Sequence, residues 1–189
     1  VLALVWWASS ACAQVGARLA DICDDCKVEK FASCGAGKFL EGPSFDKAGV
    51  MWLVGLQSGE IMKVTSGGEC TVVTKGISFP GGSRFDKGGK LIVTSRTGLL
   101  SYDTTTGAVT TIRQYYGTQV FRGLNDVIVD KAGGIYFTEP NGSNLYRPVG
   151  RVFYLPPSRQ GELSLIGDTF AFPNGLVLSP DESILYVGE

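Results

Sequence analysis

Ser44-Phe45-Asp46-Lys47-Ala48-Gly49 is a phrase that the chain repeats. It returns as Arg84-Phe85-Asp86-Lys87-Gly88-Gly89, as Ile128-Val129-Asp130-Lys131-Ala132-Gly133 and, more loosely, as Val177-Leu178-Ser179-Pro180-Asp181-Glu182. An apolar, β-rich run follows each copy, at 50–54, 91–94, 135–138 and 184–187. Asp, Gly and Pro punctuate turns, and alternating or continuous β-branched and aromatic residues build strands. Each copy therefore reads as strand, tight turn, strand.

Working outward, the markers Asp46, Asp86, Asp130 and Ser179 stand 40, 44 and 49 residues apart. Sequence between the phrases supplies two more strands per unit: 58–64 and 70–73, then 99–103 and 108–112, then 150–155 and 162–166. Long apolar stretches of period 3.6 are absent, which excludes helical repeats of similar length. Four strands per unit at this period describe an all-β fold, the β-propeller. Three units are complete and a fourth stops at Glu189 in its second strand. Propellers close with four to eight blades, so the reading expects a fragment of about three and a half blades with raw sheet edges.

Seventeen Lys and Arg against eighteen Asp and Glu leave a net charge of −1. With no basic block, nucleic acid is not an expected partner, nor is an anionic membrane. Histidine is absent, which removes Ser-His-Asp triads and His ligands from this stretch of chain. Val1 to Trp7 followed by Ala11-Cys12-Ala13 reads as the end of a secretory signal with its cleavage site. The expected organisation is a signal remnant at 1–13, a Cys-containing segment at 14–38 and a propeller at 39–189, in a secreted or periplasmic protein. Cys23, Cys26, Cys34 and Cys70 then form an even set that suits two disulfides, with three pairings open. A metal site on Cys23-x-x-Cys26 is the competing reading, and it lacks a second close pair. Asn141-Gly142-Ser143 fits a glycosylation sequon.

The phrase is also a ruler. Five residues before each marker lie Glu41, Gly81, Asn125 and Asn174. That place is where the innermost strand of a blade begins, and equivalent places in successive blades surround one axis. Taken singly, Asn125-Asp126 and Asn174-Gly175 are ordinary turn dipeptides. Taken together, Glu41, Asn125 and Asn174 supply one carboxylate and two amide oxygens, a hard set that suits Ca²⁺ or a similar divalent ion. Asp126 adjoins them as a further ligand or a base. The second strand ends at the same mouth, which makes Ser95, Arg96 and Glu139 candidates for a substrate-binding rim.

Leu40-Glu41-Gly42-Pro43, Leu124-Asn125-Asp126, Tyr136-Phe137-Thr138-Glu139-Pro140 and Phe172-Pro173-Asn174-Gly175-Leu176 resemble motifs of the SMP-30/gluconolactonase family of six-bladed propellers. The resemblance runs from about Phe39 to Glu189. It implies a metal-dependent lactonase holding one divalent ion, commonly Ca²⁺. Glu41 and Asn174 would be direct ligands, Asn125 would touch metal or substrate, and Asp126 would lie beside the ion. The family's remaining carboxylate ligand belongs to a following blade. Its arginine ahead of the Asn-Asp pair has no counterpart in register, since Arg122 stands one residue away.

The expected mechanism is polarisation of a lactone carbonyl by the metal, with water activated by a carboxylate: Asp126 is the candidate catalytic base in this stretch, and the family's remaining aspartate in the following blade is an equal contender. The expected partner is a small lactone or sugar acid, and the full-length protein is expected to be a monomer. Two alternatives stay open: a phosphotriesterase-like hydrolase on the same site, and a non-catalytic propeller that binds a ligand or a protein.

Overall fold

The repeated phrase folds into the same hairpin turn three times and into a version one residue longer the fourth time. The amide of Gly49 donates to the carbonyl of Asp46 and the amide of Asp46 to the carbonyl of Val50; Gly89, Asp86 and Lys90 repeat the pattern, as do Gly133, Asp130 and Gly134. This is a tight turn whose last residue is left-handed. Gly49, Gly89 and Gly133 have φ of 79°, 82° and 98°, where a side chain would be strained. The marker aspartate closes the loop with its side chain: Asp46 Oδ1 accepts from the Val50 amide at 3.0 Å, Asp86 Oδ1 from Lys90 at 2.9 Å and Asp130 Oδ1 from Gly134 at 2.7 Å. In the fourth copy Ser179 Oγ takes the Ile184 amide at 3.0 Å.

The computed structural model describes residues 27, 29–35, 38–159 and 161–189. Among them, strands β1 (Leu40–Phe45), β2 (Met51–Gly55), β3 (Glu60–Val64) and β4 (Cys70–Thr74) form one antiparallel sheet in sequence order. A second sheet holds β5 (Ser83–Phe85), β6 (Leu91–Ser95), β7 (Gly98–Tyr102) and β8 (Val109–Arg113). A small hairpin follows, β9 (Tyr115–Tyr116) with β10 (Gln119–Val120). The third sheet holds β11 (Val127–Val129), β12 (Ile135–Glu139), β13 (Gly150–Leu155) and β14 (Ser164–Phe170), and β15 (Leu176–Leu178) pairs with β16 (Leu185–Val187). The expected blades are present; the β9–β10 hairpin is an addition that the repeat did not reveal.

The core lies between blades. Trp52, Val54, Ile61 and Ile77 of the first blade pack on Leu91, Val93, Leu100 and Tyr102 of the second. Ile92 and Leu99 point the other way, against Val127, Ile135, Phe137, Phe153 and Leu155 of the third. Adjacent residues of a strand face opposite sides, so β6 and β7, covered on both faces, are buried along their whole length. This is why they read as continuous apolar runs.

On the outer side of the first blade, Cys34 packs with Leu53, Met62 and Val64 and forms a disulfide with Cys70, their Cα atoms 5.3 Å apart. This is one of the bonds that the open pairings allow. Cys23, Cys26 and the signal remnant at 1–13 lie outside the described residues. No described helix is long and apolar enough to cross a membrane.

Candidate functional site

The inner strands start side by side. The Asn125 carbonyl, just ahead of β11, accepts from the Gly82 amide at 2.5 Å and from Thr94 Oγ1 at 2.5 Å, both in the second blade. One blade later the same clasp recurs: Thr138 Oγ1 of β12 donates to the Asn174 carbonyl at 2.9 Å. Between the first and second blades Ser83 Oγ donates to the Gly42 carbonyl at 2.5 Å. These contacts put Glu41, Gly81, Asn125 and Asn174 at equivalent points on four neighbouring blades.

The space at this end is tight where glycine stands. A Cβ on Gly81 would run into the Asn125 carbonyl, and one on Gly82 into the Asp126 carboxylate. Glu41 sits where β1 breaks register between Glu41 and Ser44, with Gly42 at φ 55°. Such a bulge turns the strand and re-aims its side chains. Glu41 and Asn125 are half-buried and Asn174 is exposed.

Asp126 is half-buried between blades. Its Oδ1 accepts from the Val127 amide at 2.8 Å and its Oδ2 from the Leu176 amide of the fourth blade at 3.1 Å. Burial pushes this carboxyl above the usual aspartate range, against the opposing pull of the Val127 and Leu176 amides and the Arg84 charge. The Asp126 amide itself is held by Thr138 Oγ1 at 3.0 Å.

The other three rim candidates have different settings. Ser95 is fully buried, and its hydroxyl donates to the Gly98 carbonyl at 2.8 Å within the β6–β7 turn. Arg96 is exposed, its guanidinium 3.8 Å above the Phe79 ring. Glu139 is fully buried and accepts from Arg151 Nε at 2.5 Å, Arg122 Nη2 at 3.2 Å and the Arg122 main-chain amide at 2.5 Å. Both of its oxygens are thus engaged by protein. Arg151 stands opposite Glu139 across β12 and β13, and Arg122 also donates to the Val149 carbonyl at 2.7 Å. In the fourth blade Glu189 Oε1 likewise accepts from a lead-in amide, that of Ala171, at 2.6 Å. Glutamate at the end of the second strand thus anchors the segment that delivers Asn125 or Asn174.

The threonine clasp went unread in the sequence, although Thr94 and Thr138 both stand eight residues past their markers. Among the described residues no three acidic or cysteine side chains gather into a metal cluster. A cation here would rely on the Glu41 carboxylate and the Asn125 and Asn174 amide oxygens. That donor set fits a hard divalent ion that accepts neutral oxygens.

A family model for the SMP-30/gluconolactonase/LRE-like region matches residues 39–189. The lactonase drp35 of Staphylococcus epidermidis is 30% identical over 164 residues, covering 81% of this chain and 48% of that protein. The structure of a gluconolactonase from Xanthomonas campestris superposes with a TM-score of 0.72 at 25% identity, covering 80% of this chain and 55% of that one. A calcium-binding regucalcin from Agrobacterium tumefaciens shares the fold, with a TM-score of 0.66 at 21% identity over 79% of this chain and 50% of its own. The chain therefore spans about half the length of the relatives it matches. The chain belongs to the SMP-30/gluconolactonase/LRE-like family.

Proposed function

We propose that the full-length protein containing this chain is a metal-dependent lactone hydrolase. The observation that carries the reading is the placement of Glu41, Asn125 and Asn174 at equivalent points on abutting inner strands, in a family whose relatives include named lactonases. Bound to these oxygens, a divalent ion such as Ca²⁺ supplies positive charge to offset a developing oxyanion. Asp126 is the candidate base: main-chain amides fix both of its oxygens beside Asn125, and each oxygen keeps a second lone pair. It takes a proton from water as the oxygen adds to the lactone carbonyl. The ring C–O bond then breaks, the departing alkoxide recovers a proton, and a hydroxy acid leaves. Arg96, exposed on the rim, is the remaining candidate for contact with substrate. Ser95 and Glu139 act in this reading by shaping the rim. The protein is also read as exported; what supports this is the Cys34–Cys70 disulfide, a bond that persists in oxidising compartments.

The test is lactone hydrolysis by the full-length protein, with and without chelator, and by its Glu41→Gln variant. Turnover should fall by about two orders of magnitude in both cases, on the scale of losing one electrostatic stabiliser. Unchanged turnover in both sinks the reading.

A further inference from the structure

We propose that Thr94 and Thr138 are positioning residues for the candidate ion site: each fixes, through its hydroxyl, the asparagine that the next blade brings to it. The inference rests on the reading of Asn125 and Asn174 as ion ligands above, and it adds the residues that hold those ligands in place.

The repeat supplies the argument. Eight residues past the four markers stand Val54, Thr94, Thr138 and Val187. Val54, Thr94 and Thr138 are all fully buried. Valine and threonine differ only by a methyl in place of a hydroxyl, and a buried hydroxyl is costly unless it is bonded. Packing alone therefore favours valine at this place. The first blade has valine, and the blade after it offers Gly81 five residues before its marker. The second and third blades have threonine, and the blades after them offer Asn125 and Asn174. Among the three blades whose successor is described, the hydroxyl stands where an amide ligand follows and is missing where none does.

Both hydroxyls work in the same way. Thr94 Oγ1 accepts from the Gly82 amide at 2.8 Å and donates to the Asn125 carbonyl at 2.5 Å. Thr138 Oγ1 accepts from the Asp126 amide at 3.0 Å and donates to the Asn174 carbonyl at 2.9 Å. A hydroxyl has one proton to give; for Thr94 the Asn125 carbonyl is the nearer acceptor, with that of Gly82 at 3.2 Å. In the third blade a second bond closes a ring. Asp126 Oδ2 accepts from the Leu176 amide, two residues past Asn174, at 3.1 Å. Among the described residues, these two hydrogen bonds tie the third blade to the start of the fourth inner strand. Gly82, the counterpart of Asp126, has no side chain to do this; its amide reaches the Asn125 carbonyl instead, at 2.5 Å. A carbonyl held in this way fixes the main chain from which the asparagine side chain leaves, and such outer partners orient metal ligands. Thr138 thus keeps Asn174 in a set relation to Asp126.

Thr138→Val and Thr138→Ser form the informative pair. The first keeps the shape and loses the hydroxyl, as the first blade does at Val54; the second keeps the hydroxyl and loses the methyl. In the full-length protein, Ca²⁺ binding would be measured by calorimetry, and the urea midpoint in the presence of chelator. Thr138→Val should weaken Ca²⁺ binding by about tenfold or more, on the scale of losing an outer partner of a metal ligand. Thr138→Ser should bind as the wild type does. A packing role gives the reverse order, with valine tolerated and serine leaving a cavity, and that order overturns the proposal. So does Ca²⁺ binding in Thr138→Val equal to the wild type's, whatever the urea midpoint does. Thr94→Val, which acts on Asn125, repeats the test with the same expected loss should Thr138→Val fail to fold. Ca²⁺ binding that is lost in Thr138→Val and restored in Thr138→Ser, in a protein that opens no lactone, would support the positioning role and refute the hydrolase reading. A wild type that binds no Ca²⁺ overturns both.

Discussion

Glu139 shows how much a single residue's partners decide. By position it belongs to the rim; by contact it belongs to Arg151 and Arg122. Its side chain is fully buried and that of Arg151 only 10% exposed, so removing the carboxylate strands a charge. Glu139→Ala should cost about 3 kcal/mol or more in urea unfolding, the usual penalty for breaking a buried pair. An exposed rim glutamate would cost almost nothing, so the measurement separates the two. The sequence offered Glu139 as a site residue because offset alone reports which end of a strand a residue occupies. It does not report the residue across the ladder, and Arg151 is exactly opposite only once the β12–β13 register is known. Glu41, Asn125 and Asn174 were legible for the converse reason: their common place is a property of the repeat itself.

The hairpin turn is the element on which the architecture could be read. Its glycine and its aspartate are both dictated by local chemistry, so they recur and announce themselves. Gly49 has open space where a Cβ would go, so Gly49→Ala tests the backbone alone. It should lower stability by about 1 kcal/mol, the cost of left-handed φ with a side chain, readable as a shift in the urea midpoint. The fourth turn differs. Asp181 accepts from Ser179 Oγ at 2.6 Å and from Ser183 Oγ at 2.9 Å, and these bonds hold its carboxyl down to about 2. A lowered carboxyl contributes stability that is present above its ordinary value of 3.8 and is lost as pH falls towards about 2. Titrating the Asp181 carboxyl by NMR should show the depressed midpoint, and Ser179→Ala together with Ser183→Ala should return it towards the ordinary value. The β9–β10 hairpin escaped notice because it lies outside the repeat; Tyr115-Tyr116-Gly117-Thr118 was its only local sign.

For the whole molecule, the stacking of blades is the main source of burial, and the disulfide adds a tie at the outer side of the first blade. Cys34 and Cys70 are separated by 36 residues. In the chain-entropy account, closing such a loop contributes about 4 kcal/mol. Cys34→Ser should lower the thermal midpoint of the full-length protein, and reductant should lower that of the wild type by more than that of the variant. That Cys34 would find Cys70 could not be read from spacing, because the N-terminal segment has no repeat to place it. The threonine clasp has a reach of its own. Thr94 sits in one blade and holds Asn125 of the next; Thr138 does the same for Asn174. What must be inherited together is therefore not a sheet. It is the stretch from one turn to the next, from Asp86 to Asp130, which keeps each clasp with the residue it grips. Chimaeras with relatives should accordingly splice well inside the repeated phrase and badly between blades, where the crossover would part a threonine from its asparagine.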